Sequence, residues 1–379
     1  MTESAKKVLI FSIAYYPHFI GGAEVAVKEI TDRLVDDFEF HMITLGAKGD
    51  KSDERISNVF VHRVGSVSTI SKYLFPFIGF FKAVDLHKKH HFQITWSIMA
   101  NYAGFAGLFF KYLKPEVTSV LTLQEGDPIL YIKKRVGVLY PLFKKIFTKA
   151  DRIHAISNYL ADWARDMGAK GRVDVVPNGV DISLFSKAIS DDEKNSLARE
   201  LGKKTEDIFL ITTSRLVIKN GVGDIIKSLQ YLPTNVKLLI VGNGVLEDTL
   251  KASVDAHKLS GRVLFVGFIH HADLPKYLAI SDIFVRPSLS EGMGNSFIEA
   301  MSAGIPVVAT PVGGIVDFLV DRETGLFCQV SDPKSIAECV KLLLSDKMLS
   351  TRLVENAQKM VLNNYDWSRI AILMREVIR

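Results

Sequence analysis

Strand-length apolar runs recur along this 379-residue chain with helix-length stretches between them, and no other feature limits its fold as much. A first set lies at residues 8–13, 38–45, 59–64, 92–98, 119–123, 152–156 and 173–176, and a second at 208–212, 236–241, 263–266, 283–285, 306–309 and 325–328. Near-continuous Val/Ile/Leu strands alternating with helical patterns predict parallel sheets covered by helices on both faces. The turn cluster Val176-Pro-Asn-Gly-Val-Asp181 and the polar run after it, to about residue 205, separate the two sets. The expected fold class is α/β: two Rossmann-like, doubly wound domains, residues 1–178 and 179–365, facing across a cleft, with 366–379 as a final helix. In such sheets ligands sit beyond the carboxyl ends of the strands, so chemistry belongs in the strand-to-helix loops.

Charge is unevenly spread. Residues 1–178 hold 24 Lys and Arg against 18 Asp and Glu, whereas 179–379 hold 23 against 24, and within 56–150 the count is 13 against 4. The first half therefore carries a basic surface. The sequence start reads as neither a signal nor a transit peptide, and no run approaches the roughly 20 apolar residues of a spanning helix, so the expected location is the cytoplasm. Cys328 and Cys339 have no metal-site spacing and read as ordinary buried thiols.

One loop concentrates the chemistry. Residues 283–285 read as a strand, Arg286-Pro-Ser-Leu-Ser-Glu-Gly-Met-Gly294 as the loop after it, and Asn295 or Ser296 as the cap of a helix running to about Ala303. The amides at such a helix start attract an anion, and glycines at 292 and 294 let a phosphate approach. Glu291 stands before the helix and Glu299 inside it, and these acceptor-only carboxylates suit the hydroxyls of a sugar and a ribose on either side of a diphosphate.

This Glu-x7-Glu arrangement resembles that of the retaining glycosyltransferases of family 4, which have the GT-B fold. The resemblance extends in order over nearly the whole chain: Gly21-Gly-Ala-Glu24, Ala150-Asp-Arg-Ile-His-Ala-Ile-Ser157, Val176-Pro-Asn-Gly-Val-Asp181, Ser214-Arg-Leu216 with its following Lys-Asn-Gly, Val241-Gly-Asn-Gly244 and 291–310. It implies transfer of a sugar from a nucleoside diphosphate sugar to a hydroxyl of a glycan or lipid-linked acceptor, with retention at the anomeric carbon. It implies that Glu299 holds the ribose, Glu291 the donor sugar, and the amides of Gly294, Asn295 and Ser296 the distal phosphate. Gly21 and Gly22 would form the loop closing over donor and acceptor, Arg215 would bind the diphosphate, and the final helix would return to the first domain. Two departures stand out. Asn220 occupies the place of the family's second diphosphate cation, which passes that role to the neighbouring Lys219. Gln124-Glu-Gly-Asp127 replaces a histidine found in many members, so Gln124, Glu125 and Asp127 compete for the position facing the anomeric carbon.

Glu125-Gly-Asp127 could be an acidic metal-binding triplet, but the fold usually handles its diphosphate without a metal, and neither metal nor cofactor is expected. The ten histidines, among them His87, His90, His91 and the pair His270-His271, lack zinc spacing and are expected to be structural or solvated. Val241-Gly-Asn-Gly-Val-Leu-Glu247 fails as a dinucleotide fingerprint at its third glycine, and no Gly-x4-Gly-Lys-Ser/Thr loop exists. Residues 73–82 and 133–149 combine aromatics with basic residues, which suits an anionic membrane surface; the alternative is aromatics in the core with a solvated lysine rim, and nucleic acid is not an expected partner. Rival functions are a sugar-nucleotide epimerase or hydrolase of the same fold, or a non-catalytic carbohydrate-binding relative.

Overall fold

The structure is a computed structural model describing residues 5–19 and 21–379. It divides into two compact units, the first comprising residues up to Gly179 with Trp367–Arg379, the second Val180–Asp366.

The first unit is built on strands β1 (Lys6–Phe11), β2 (Phe38–Leu45), β3 (Asp53–Ile56), β4 (Val59–Val64), β5 (Ile94–Ile98), β6 (Thr118–Leu123), β7 (Arg152–Ala155) and β8 (Arg172–Val175). Their order is β3-β4-β2-β1-β5-β6-β7-β8, parallel throughout except for the antiparallel β3–β4 pair. One face of the sheet lies against α1 (Gly22–Arg33) and the C-terminal helix Trp367–Ile378, where Val27, Ile30, Phe40, Met42, Trp367 and Met374 are buried together. The other face is covered by α2 (Thr69–His90), α3 (Tyr102–Leu113) and, beyond them, α4 (Ile129–Val136) and α5 (Tyr140–Lys149).

The two basic aromatic segments divide between core and surface. Phe75 on α2 and Phe143 and Phe147 on α5 are buried, while Tyr73, Leu74, Phe77, Phe81, Leu139 and above all Val138, 95% exposed, face outward. Helical periodicity explains this, since one stripe of each helix meets the sheet and the opposite stripe keeps its rings outside.

The second unit contains β9 (Ile208–Thr213), β10 (Val236–Val241), β11 (Val263–Gly267), β12 (Ile283–Arg286), β13 (Val307–Ala309) and β14 (Leu326–Phe327), all parallel, in the order β11-β10-β9-β12-β13-β14. Cys328 is buried, but Cys339 is only half-buried, contrary to the sequence expectation for both; their Sγ atoms lie 3.3 Å from the Ala309 carbonyl and 3.5 Å from that of Phe327. Burial pushes both thiols up, to about 12 and about 11, which leaves them inert at neutral pH.

Candidate active site

Because β10, β9, β12 and β13 are neighbours, the loops at their carboxyl ends meet. Leu216 N–H donates to Asn243 O at 2.8 Å, Leu289 N–H to Lys219 O at 2.7 Å, and Gly314 N–H to Glu291 O at 3.2 Å. The last contact depends on Gly313, which sits at φ +54, where an added Cβ would stand 1.8 Å from the Glu291 carbonyl oxygen. Within this cluster the helix Asn295–Ser302 begins, capped by Gly294 at φ +89 and without a side-chain cap. The sequence reading placed the cap at Asn295 or Ser296. Asn295 is instead the first helical residue, and the Ser296 hydroxyl is occupied as an acceptor from Arg286.

Arg286, which the sequence reading passed over, organises the loop. Its guanidinium is buried and donates to Glu291 Oε2, to Ser296 Oγ at 2.9 Å and to Asn220 Oδ1 at 2.9 Å, with its carbon 5.3 Å from the centre of the Phe297 ring. Glu291 is 8% exposed, and its other oxygen accepts from its neighbour Gly292 N–H at 3.2 Å. This is a buried ion pair with hydrogen bonds around it, the arrangement in which removing one partner strands a charge. A signal was available: an arginine ending a buried apolar strand needs a partner, and the nearest downstream acid is Glu291.

Asn220, which displaces the expected cation, is 2% exposed. It donates to Arg215 O at 2.6 Å while accepting from Arg286, so it ties the loop after β9 to the loop after β12. Arg215 itself is exposed and Lys219 half-buried. Glu299 lies in the second turn of the helix, its Oε1 accepting from His271 Nε2 at 2.9 Å, and the His271 ring meets Phe185 edge-on at 5.1 Å. Of the histidine pair at 270–271, His271 hydrogen-bonds the carboxylate of a predicted site residue while its ring stays partly exposed. The structure thus places Arg215, Lys219, Glu291, Gly294, Asn295, Ser296 and Glu299 in the segments that follow the carboxyl ends of two neighbouring strands, β9 and β12, of one sheet.

The remaining candidates belong to the first unit. Gly21 caps α1, its N–H donating to the Glu24 carboxylate at 2.9 Å, and Gly22 opens the helix. Gln124 and Asn178 exchange amide hydrogen bonds, both at 3.4 Å. Glu125 turns its carboxylate inward: Oε1 accepts from Ala100 N–H at 2.6 Å, and Oε2 is buried with no hydrogen-bond partner, although the residue as a whole keeps some exposed surface. Burial above all, with a smaller push from Asp127, raises its pKa to about 7. Asp127 stays half-exposed, near enough to Glu125 to act on its charge.

His154, the histidine of the Ala150–Ser157 stretch, is part of a closed network. Trp96 Nε1–H donates to Thr122 Oγ1 at 2.7 Å, Thr122 to His154 Nδ1 at 2.9 Å, and His154 Nε2–H to Val176 O at 2.7 Å. Burial lowers this histidine to about 4, and it ties strand ends together as a neutral ring.

Comparison with known proteins agrees with this architecture. Residues 193–360 match the family model for glycosyl transferases group 1, and residues 20–184 match that for glycosyltransferase family 4. The chain belongs to the group 1 glycosyltransferases, with a GT-B fold. An uncharacterized glycosyltransferase of Methanocaldococcus jannaschii is 27% identical over 388 residues, spanning 96% of each chain. Among solved structures, sucrose-phosphate synthase from Thermosynechococcus elongatus has a TM-score of 0.84 at 20% identity, covering 98% of each chain. The Anabaena protein HepE, solved in complex with UDP and glucose, has a TM-score of 0.82 at 20% identity, again over 98% of each chain. This glycosyltransferase therefore shares its whole fold with both. No helix among the described residues is long and apolar enough to cross a membrane.

Proposed function

We propose that this glycosyltransferase moves a sugar from a nucleoside diphosphate sugar to a hydroxyl of a glycan or lipid-linked acceptor, with retention at the anomeric carbon. The observation that carries the reading is the carboxyl end of neighbouring strands β9 and β12, where a helix start, two carboxylates eight positions apart and the loop carrying two basic residues meet. The complex of HepE with UDP and glucose supports a donor of this class.

In this scheme the amides of Gly294 to Ser296 and the cations of Arg215 and Lys219 receive the diphosphate, Glu299 the ribose and Glu291 the sugar hydroxyls. As the anomeric carbon–oxygen bond breaks, its electron pair leaves with the phosphate oxygen. Arg215, Lys219 and the helix amides then stabilise the growing negative charge without a metal ion. The acceptor oxygen bonds to the anomeric carbon and its proton passes to the leaving phosphate. Gln124, Glu125 and Asp127 are the candidates for the position facing the anomeric carbon, and Gly21 and Gly22 for the loop that closes over donor and acceptor. The arrangement of Arg286 gives Glu291 a further property: its carboxylate is held in one orientation, ready for a hydroxyl donor.

The acceptor surface is assigned to the first unit. Exposed Tyr73, Phe77 and Phe81 on α2, and Leu139 and Val138 beside the basic residues 133–149, suit an anionic lipid surface. The decisive experiment is release of nucleoside diphosphate from a panel of UDP-, GDP- and ADP-sugars, with and without membrane lipid. Release from one donor, raised by lipid, is expected. Release unaffected by any acceptor would point to a hydrolase, and an altered sugar to an epimerase. Vesicle co-sedimentation tests the surface separately: anionic vesicles should retain more protein than neutral ones, and equal retention would remove the membrane from the account.

A further inference from the structure

Near the beginnings of the first unit's strands, away from the loops described above, lies a linear chain of four titratable side chains. Asp53 Oδ1 stands 2.6 Å from His62 Nδ1, His62 Nε2 stands 3.0 Å from His41 Nδ1, and His41 Nε2 stands 3.0 Å from Glu39 Oε1. Each of the three contacts needs one proton between its two lone-pair atoms. Two neutral imidazoles supply two. With the protons on His62 Nδ1, in the shortest of the three contacts, and on His41 Nδ1, the bare Nε2 of His41 faces a carboxylate oxygen at hydrogen-bond distance, whereas the opposite order leaves His62 Nδ1 bare against Asp53. A lone pair held against an anion there calls for a cation.

A third nitrogen is close by. His90, on the last turn of α2, offers a ring nitrogen within 4.8 Å of the ligand atoms of both Glu39 and His41, and its ring centre is 4.3 Å from that of His41. His41 is 3% exposed, walled by the rings of Phe60 and Phe92 at 4.9 and 5.2 Å, whereas Glu39 and His90 are half-buried and leave an entry path. Lys7, 3.5 Å from Glu39, and Lys82, 3.8 Å from Asp53, are the basic side chains paired with the two carboxylates.

We propose that Glu39, His41 and His90 form a binding site for a divalent cation of the Zn2+ class. Two imidazoles and one carboxylate are a borderline ligand set that favours Zn2+ over Mg2+ or Ca2+, and water completes four-coordination. The relay from His41 through His62 to Asp53 is the outer support such a site requires, since it fixes the tautomer that aims Nε2 at the ion. Tetrahedral bonds of about 2.0–2.1 Å place ligand atoms roughly 3.3 Å apart, so His90 closes in by about 1.5 Å and Lys7 yields its place beside Glu39. The ion would pin β2 to the end of α2, a structural role remote from sugar transfer. The three ligands come from positions 39, 41 and 90, a spacing that no zinc signature contains.

The test uses the untagged full chain, stripped with a chelator and titrated with Zn2+ against a chromophoric competitor, followed by thermal unfolding. One Zn2+ per chain is expected, with a Tm rise of about 5 °C when Zn2+ stands near 100 times its Kd. His90→Gln and Glu39→Gln, both at half-buried positions and checked for folding by circular dichroism, should each weaken binding by at least about tenfold and abolish the Tm rise. Failure of the native chain to retain stoichiometric Zn2+ would overturn the site. So would binding and Tm shifts unchanged in both variants, which would place the ion elsewhere.

Discussion

The two units have similar parallel sheets and treat their buried carboxylates in opposite ways. In the second unit Glu291 is buried with a cation against it, and Asn220 and Ser296 accept from the same guanidinium, whose Nε is buried without a hydrogen-bond partner. In the first, the Glu125 carboxylate is turned inward, with Oε1 accepting from the Ala100 N–H and Oε2 without a hydrogen-bond partner. The first arrangement holds a charge in a set orientation; the second stores a carboxyl group near its neutral form, ready to exchange a proton close to pH 7. A fixed carboxylate suits binding and a titrating one suits proton handling, so the contrast assigns the two acids different tasks.

The sharpest way to break this comparison is to remove the cation. Arg286→Met should strand Glu291 and cost about 3–5 kcal/mol in chemical denaturation, with donor turnover lost. A loss under about 1 kcal/mol would mean the pair is not holding the loop. The counterpart in the first unit has the opposite sign. The folded state binds the Glu125 proton more tightly than the unfolded chain, so its destabilising contribution begins as pH rises past the ordinary value of 4.5 and is complete above about 7. Glu125→Gln should therefore be more stable than the parent by as much as about 3 kcal/mol at pH 8 and nearly equal to it at pH 4, read by urea unfolding at both. A difference independent of pH would show that Glu125 titrates normally.

Smaller effects sharpen the roles within the second unit. Glu299→Ala should weaken nucleoside diphosphate binding by roughly 1–3 kcal/mol by calorimetry, through lost ribose hydrogen bonds, whereas Glu291→Ala should reduce turnover more than that affinity. Equal losses of both in Glu291→Ala would move this residue to the phosphate. The smallest effect belongs to the surface of the first unit: Lys133→Ala and Lys134→Ala should each weaken anionic-vesicle binding by about 1 kcal/mol or less.

The sequence disclosed the sheets because parallel strands are buried on both faces and so read as apolar runs. It concealed β3, whose residues Asp-Glu-Arg-Ile are polar because it is an edge strand paired on one side only. Glu291, Gly294, Asn295, Ser296 and Glu299 were legible because they lie in one loop and one helix, where spacing along the chain reports spacing in the molecule, whereas Arg215 and Lys219, in the loop after β9, were marked only by the family resemblance. Contacts made across elements were not. Arg286 reaches Asn220 over 66 positions, His271 reaches Glu299 over 28, and Glu39, His41, His62 and His90 converge from three elements. Nor could composition divide the aromatics of residues 73–82 and 133–149 between core and surface, since that depends on which stripe of each helix meets the sheet.

The central claim is that the helix start at Asn295 and the loop after β9 together hold a nucleoside diphosphate. Hydrogen exchange with and without saturating UDP, GDP or ADP tests this most directly. The account predicts that the nucleotide that binds slows exchange in peptides covering 214–221 and 290–300, with the protection reduced in Glu299→Ala. Binding that leaves both peptides unchanged while protecting another part of the chain would contradict it.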